Sequence, residues 1–344
     1  MKIYTPAPVH SQDIFPLFLF KFAPERKAGG LFKDNLPENY FQTVEYTDAP
    51  QGADAIILPN NFTQISPEVR LYIEGHTAQA HAQNIPIYAF SSSDYAHRLP
   101  FPKDVQVFSY SLYKSIKKPG DISTPALTED LGKAGIALRS KSDMPTVSFC
   151  GKAGFSSTRE WLGSWIRRIE YELLSVINSK ARARIRGVFW RMWMLEACKT
   201  PLLKTRFVVR KTFSGALRTI EVPPEQARKE FIDSMIESDF VLAPKGDGNH
   251  SNRFLEALSM GRIPVLLDTD VVLPFEDSID YSKIVVRVPM AEVSQTPRYI
   301  RDFYDLLTQE EWHARQRLAR EIFEKYLRQD VFFARYFSLR HTQK

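Results

Sequence analysis

The chain has 344 residues, 44% hydrophobic and 25% charged, a composition that excludes disordered and fibrous repeat proteins and leaves an ordinary globular one. At this length two domains are expected, with enough core to need no staples; Cys150 and Cys198 lie in no CxxC or Cys/His cluster, so a reducing compartment is the simpler reading. The net charge of +6 hides an asymmetry, because residues 151–220 hold 15 Lys/Arg against 4 Asp/Glu and the remainder is net negative.

In chain order, residues 2–5, 43–46, 55–58, 85–90 and 105–109 read as short strands, and 67–82 reads as a helix between two of them. Strands separated by helices predict a parallel α/β sheet. Residues 117–145 are rich in Pro, Ser, Thr, Gly and charge without periodicity, which predicts a linker. A second α/β pattern opens with the apolar run 146–151, ending in Gly151, and passes into a long amphipathic stretch over 159–199. A strand over 206–209, a helix over 223–238 and a strand over 239–243 follow. A loop over 244–249, a helix over 251–260 closed by Gly261 and a strand over 263–267 continue the alternation, and helices over 298–307 and 309–337 close the chain. Residues 1–8 lack the pattern of a secretion signal, and no run approaches the roughly 18 apolar residues of a spanning helix. A cytoplasmic protein, soluble or peripheral on the inner face of the membrane, is therefore expected.

The chemistry is concentrated in residues 238–268. A strand delivers the chain to the loop Pro244-Lys245-Gly246-Asp247-Gly248-Asn249, and the loop feeds a helix N-terminus. In a parallel sheet that is the carboxyl end of a strand, where open α/β folds bind ligands. Free amides at the helix start favour a phosphate, Gly246 and Gly248 remove side chains that would block close approach, and Lys245 and Arg253 add charge. Arg253 and Glu256 are three residues apart and share a helix face, so the arginine can pair a phosphate while the glutamate accepts from ribose hydroxyls. The same pair could instead be a surface ion pair, Lys245 a solvated loop lysine, and Ser251 the helix N-cap. Neither GxxxxGK[ST] nor GxGxxG is present.

This stretch resembles the signature of the exostosin-like glycosyltransferases: S-x-F-x-L-x-P-x-G, then S-x-R-F-x-E-A, then G-x-I-P-V and a downstream acidic residue. The matching positions are Ser238, Phe240, Leu242, Pro244, Gly246, Ser251, Arg253, Phe254, Glu256, Ala257, Gly261, Ile263, Pro264 and Val265, with 274–277 following. The likeness covers roughly 200–290, and 53–59 resembles the family's N-terminal strand more weakly. It implies a GT-B fold: two Rossmann-like domains facing a cleft, the donor nucleotide held by the C-terminal one, inversion at the anomeric carbon, and no metal or other cofactor. The domains would span 1–140 and 141–310, with 311–344 a helix packing back on the first. Many members have Cys where this chain has Arg262, and animal members carry a membrane anchor and disulfides that this sequence lacks.

Gly151, Arg159 and Arg210 follow strand or loop ends and could reach the phosphates from the other side, and Asn249 lies in the donor loop. Inversion needs a base, expected from the N-terminal domain, where His10, Asp13, Asp94 and His97 follow strands. Asp268-Thr269-Asp270 mimics a metal-binding DxD but follows a buried strand without the rest of that fold. The tryptophan-rich basic stretch 161–193 admits three readings: the core-facing side of two helices with a solvated basic face, a patch for an anionic membrane, or a surface for an acidic polysaccharide or nucleic acid, the last without any nucleic-acid module to support it. The reading is an inverting transferase moving a sugar from a nucleotide-sugar, a UDP-sugar first, to a glycan or lipid-linked acceptor in surface polysaccharide synthesis. Its rival is a non-catalytic carbohydrate- or nucleotide-binding protein on the same scaffold.

Overall fold

The computed structural model describes residues 1–22, 45–92, 99–212 and 222–341. They form two compact units, each built on a parallel sheet: residues 1–127, 272–274 and 326–344 make the first, and 128–271 with 275–325 the second. The α/β class, with the C-terminal helix returning to the first unit, agrees with the expectation from sequence.

In the first unit, β1 (Lys2–Tyr4), the short α1 (Leu19–Phe22), β2 (Glu45–Thr47), β3 (Ala55–Asn61), α2 (Pro67–Gln83), β4 (Ile87–Phe90), β5 (Val105–Ser109) and β6 (Asp121–Ser123) follow in order. The sheet order is β2-β1-β3-β4-β5-β6, all parallel. β3 and β4 are apolar and buried on both faces, as a parallel sheet covered on both sides requires. Ser66 caps α2 through Val69 N at 3.2 Å, with Pro67 at its first position. The final helix closes this core by aromatic packing, with Phe333 at 5.9 Å from Phe90 and 5.1 Å from Phe108, ring centre to ring centre.

The second unit comprises β7 (Thr146–Lys152), α3 (Thr158–Ile177), α4 (Gly187–Ala197), β8 (Lys204–Arg210), α5 (Pro224–Ile236), β9 (Phe240–Leu242), α6 (Asn252–Ser259), β10 (Ile263–Asp268), β11 (Val286–Pro289), α7 (Thr296–Asp305) and α8 (Gln309–Ile322); α9 (Gln329–His341) belongs to the first unit. Its sheet order is β11-β10-β9-β7-β8, again parallel. Counted within each unit, both sheets begin 2-1-3, so each reverses direction between its first and third strands. Such a switch point opens a crevice at the carboxyl ends of those two strands.

The structure differs from the sequence reading in four places. Residues 117–145 are not a free linker: β6 lies within them, and from residue 128 the chain straps the second unit, with Arg139 Nε donating to Asp239 Oδ1 at 2.9 Å. The division between units accordingly falls at 127/128 rather than 140/141. The stretch 159–199 is two helices separated by a 3-10 turn at Ser179–Arg184, which Asn178 caps by accepting from Lys180 N at 3.1 Å. The terminal helix is interrupted by a π-turn at Phe323–Leu327, and the chain changes unit there rather than at 311. Arg262, 1% exposed, explains its own presence: it donates to the carbonyls of Met235 and Ile236 at the end of α5, to Met260 and Ala137, and to Gln316 Oε1. The cation thus satisfies helix-end carbonyls and ties the strap to α8.

Candidate functional site

The second sheet's switch point lies between β7 and β9, and the loop after β9 leads into α6 there. Arg253, in the first turn of α6, lies back across the end of β7: Nε and Nη2 both donate to the carbonyl of Cys150, at 3.1 and 2.8 Å, and the guanidinium sits 4.5 Å from the Phe149 ring centre. Gly151 makes this possible. Its φ is +145°, and a Cβ built on it would stand 2.1 Å from Arg253 Nη2. Among the described residues Arg253 makes no salt bridge with Glu256, the alternative reading of the pair, because the guanidinium is turned onto the strand.

Glu256 is half-buried, and its carboxyl makes no hydrogen bond or ion pair among the described residues. Burial pushes it up to about 7, with Arg253 and Arg228 pulling the other way. The Ser251 hydroxyl does not cap α6; Phe254 N donates to the Ser251 carbonyl at 3.0 Å, which leaves the amides of Asn252 and Arg253 to face an anion. Beside them the side-chain oxygen of Asn252 is buried with no partner, an acceptor that a ligand hydroxyl or N–H can satisfy.

Two further arginines, not singled out by sequence reasoning, converge here from the basic stretch. Arg191 of α4 is buried and donates Nη1 to the Lys152 carbonyl at 3.0 Å. Burial, with the charges of Arg253 and Arg186 nearby, pulls it down to about 9 despite Asp247. Arg186 binds Ser164 Oγ at 2.6 Å and pairs with Glu160 and Asp247, each at 3.4 Å. Gly187 lets α4 start against the donor loop, since a Cβ there would meet the carbonyl oxygens of Gly246 and Lys245 at 2.2 and 2.4 Å. The signal in the sequence was the local excess of arginine; the folding of α4 onto the loop was not legible.

The other candidates spread around this centre. Lys245 is buried and donates to the Ala183 carbonyl at 2.8 Å, so it ties the loop to the 3-10 turn. Gly246 N donates to the His250 carbonyl at 2.8 Å, Gly248 is buried, and Asn249 accepts from Thr269 Oγ1 at 2.7 Å, which fixes the loop's shape. Arg210 lies beside Lys152 in the β7/β8 register and is paired with Glu230. Arg159 is exposed on α3. Asp268 pairs with Arg287 at 2.9 Å and accepts from Asp270 N at 3.0 Å, while Asp270 pairs with Lys180 at 3.3 Å. Among the described residues no cluster of three or more His, Cys, Asp or Glu is placed to hold a metal ion.

In the first unit, His10 and Asp13 lie on the loop after β1, at that sheet's own switch point. Asn60, at the end of β3, holds the loop by accepting from Val9 N at 3.0 Å and donating to the His10 carbonyl at 2.8 Å, and Asn61 N donates to the Asp13 carbonyl at 2.7 Å. Asp94 and His97 lie outside the described residues.

The comparison with known proteins agrees with this geometry. The family model of the Exostosin GT47 domain matches residues 176–303. The chain is 39% identical to Exostosin-1 of Drosophila melanogaster over 77 residues, 22% of this chain and 10% of that protein. It is 29% identical to the Exostosin-1 homolog of Caenorhabditis elegans over 104 residues, 30% and 26% of the two. The matches thus span about a tenth to a quarter of these relatives. Among solved structures, a glycosyltransferase from Rickettsia africae is similar over 98% of this chain and 97% of its own, at 9% identity and a TM-score of 0.43.

Two consequences can be measured. Gly151→Ala forces the Arg253 guanidinium off the strand and strains the backbone, and is expected to lower unfolding free energy by about 1–3 kcal/mol in urea denaturation. Because the folded protein holds the Glu256 proton more tightly than the unfolded chain, this group's stabilisation is complete below about pH 4.5 and is lost as pH rises to about 7. Glu256→Gln is expected to become the more stable protein relative to wild type across that window, by up to about 3 kcal/mol in denaturation at each pH.

Proposed function

We propose that the second unit binds the nucleoside diphosphate of a sugar donor and that the protein is an inverting glycosyltransferase acting on a glycan or lipid-linked acceptor in surface polysaccharide synthesis. The observation that carries this is the convergence of Arg253 and Arg191 with the uncapped start of α6, at the switch point beside Gly151. An anion between them meets guanidinium donors and helix amides, and the same groups stabilise the diphosphate as it leaves. In this role they replace a divalent metal, so no metal cofactor is needed.

Glu256, with no hydrogen bond to its carboxyl among the described residues and poised near neutrality, accepts hydrogen bonds from the ribose hydroxyls once ionised. Ser251 and Asn252 line the same turn, and Gly246, Gly248 and Asn249 shape the loop. Lys245 and Arg210 act by holding that frame. The base that deprotonates the acceptor hydroxyl is assigned to the first unit, with His10, Asp13 and Asp94 as its candidates. A uridine nucleotide is the first donor to test, and the cytoplasmic face of a membrane is the setting proposed for the acceptor.

Thermal melting of the full chain with UDP, GDP, ADP and CMP in turn checks this. One nucleotide is expected to raise the melting temperature of wild type, through about 2–3 kcal/mol of linkage at a hundredfold excess over its dissociation constant, and to leave Arg253→Ala/Glu256→Ala unmoved. No shift with any nucleotide contradicts the proposal. Binding without hydrolysis or transfer of the matching nucleotide-sugar favours the non-catalytic reading.

A further inference from the structure

The helix α3 is folded inside out. Four of its polar residues face the protein: Glu160 binds Lys152 at 2.7 Å, Ser164 accepts from Arg186, Arg168 stacks on Trp165 and Trp193, and Glu172 pairs with Arg182 at 3.1 Å. The sole fully buried residue of its 20 is Ser164. Leu162, Ile166, Ile169, Leu173 and Val176, spaced 4-3-4-3, form one row on the opposite side and are 53–85% exposed. Ile177 extends the row at 90%. A helix of this length is about 30 Å long, and an apolar stripe along all of it facing water marks an interaction surface.

We infer that this outer face of α3 docks on an anionic lipid bilayer surface. The spacing alone would also suit pairing with α3 of a second copy. Charge decides between them. Exposed cations flank the stripe, Arg159 at one end and Arg167 on its side, with Lys180, paired with Asp270, just past the other end and Glu170 the one acidic residue of α3's exposed side. An antiparallel pair that sets Leu162 against Val176 and Ile166 against Leu173 brings no carboxylate to Arg159, whose counterpart would be Lys180, a cation already paired with Asp270. Anionic headgroups complement every one of these cations, and Trp161, half-exposed at the rim, has the amphipathic ring of an interfacial residue. The tryptophans at 165, 190 and 193 do not take part, being packed inward around Phe189 and Arg168. The surface is therefore the aliphatic row of α3, not the whole of 161–193.

The test is sedimentation of the full chain with vesicles of phosphatidylcholine alone and of phosphatidylcholine mixed with phosphatidylglycerol, without nucleotide, so that it stands or falls separately from donor binding. Wild type is expected to sediment with the mixed vesicles and to be released by salt. Ile166→Glu/Ile169→Glu/Leu173→Glu is expected to lose binding at least about tenfold while melting at the wild-type temperature, because the replaced side chains are exposed. Arg159→Ala/Arg167→Ala is expected to lose roughly tenfold as well. Wild type left in the supernatant with both vesicles, or binding that the triple variant retains, overturns the inference. So does light scattering that shows a dimer which the triple variant turns into a monomer in a protein that ignores the vesicles.

Discussion

The close approach of Arg253 to the backbone of β7 is the constraint on which the candidate site depends. A guanidinium can lie on the Cys150 carbonyl only if the next residue has no side chain and tolerates a positive φ, and Gly151 meets both conditions. That one contact fixes the start of α6 against the first strand of the sheet and sets a positive charge at the switch point. It also leaves the Glu256 carboxyl, one turn on, without a hydrogen bond or salt bridge among the described residues. Burial then acts on the two groups in opposite senses, lowering the arginine and raising the glutamate, so both are held where a ligand can tip their balance.

The basic character of residues 151–220 has a structural account that involves no nucleic acid. Arg168 is sandwiched by aromatic rings, Arg182 and Arg186 pair with α3 carboxylates, Arg210 pairs with Glu230, and Arg191 is buried against the backbone of β7. Part of this charge therefore fastens α3, the 3-10 turn and α4 to one another and to β7. Of the cations left at the surface, Arg159 and Arg167 flank the apolar row of α3, while Lys199, Lys204, Arg206 and Lys211 lie after α4 and on or beyond β8. Here too no helix among the described residues is long and apolar enough to cross a membrane.

Much of the fold was legible because parallel strands buried on both faces read as plain apolar runs, as in β3, β7 and β10. β6 and β11 were not, being only three and four residues long and set in polar or proline-bearing surroundings. The breaks at 178–186 and at Phe323–Leu327 escaped because no proline marks them; a π-turn shifts the helical register without a change in composition. In the site, the signature residues were readable from the spacing of Gly246, Arg253 and Glu256. The role of Lys245 was not, because a lysine that reaches a carbonyl 62 residues away has no local pattern. Arg191 and Arg186 were hidden for the same reason: contacts that depend on how α4 packs are written in no spacing along the chain.

The measurement that bears most directly on this account is calorimetric titration of the wild-type chain with UDP, UMP and uridine at one pH and ionic strength. If the arginines and the open start of α6 hold a diphosphate, UDP binds at least about tenfold more tightly than UMP, the worth of one charge-assisted contact of about 1.4 kcal/mol, and uridine more weakly still. Equal affinity for the three, or tighter binding of uridine, would mean that the cationic centre beside Gly151 does not engage phosphate, and the account of the site would be wrong.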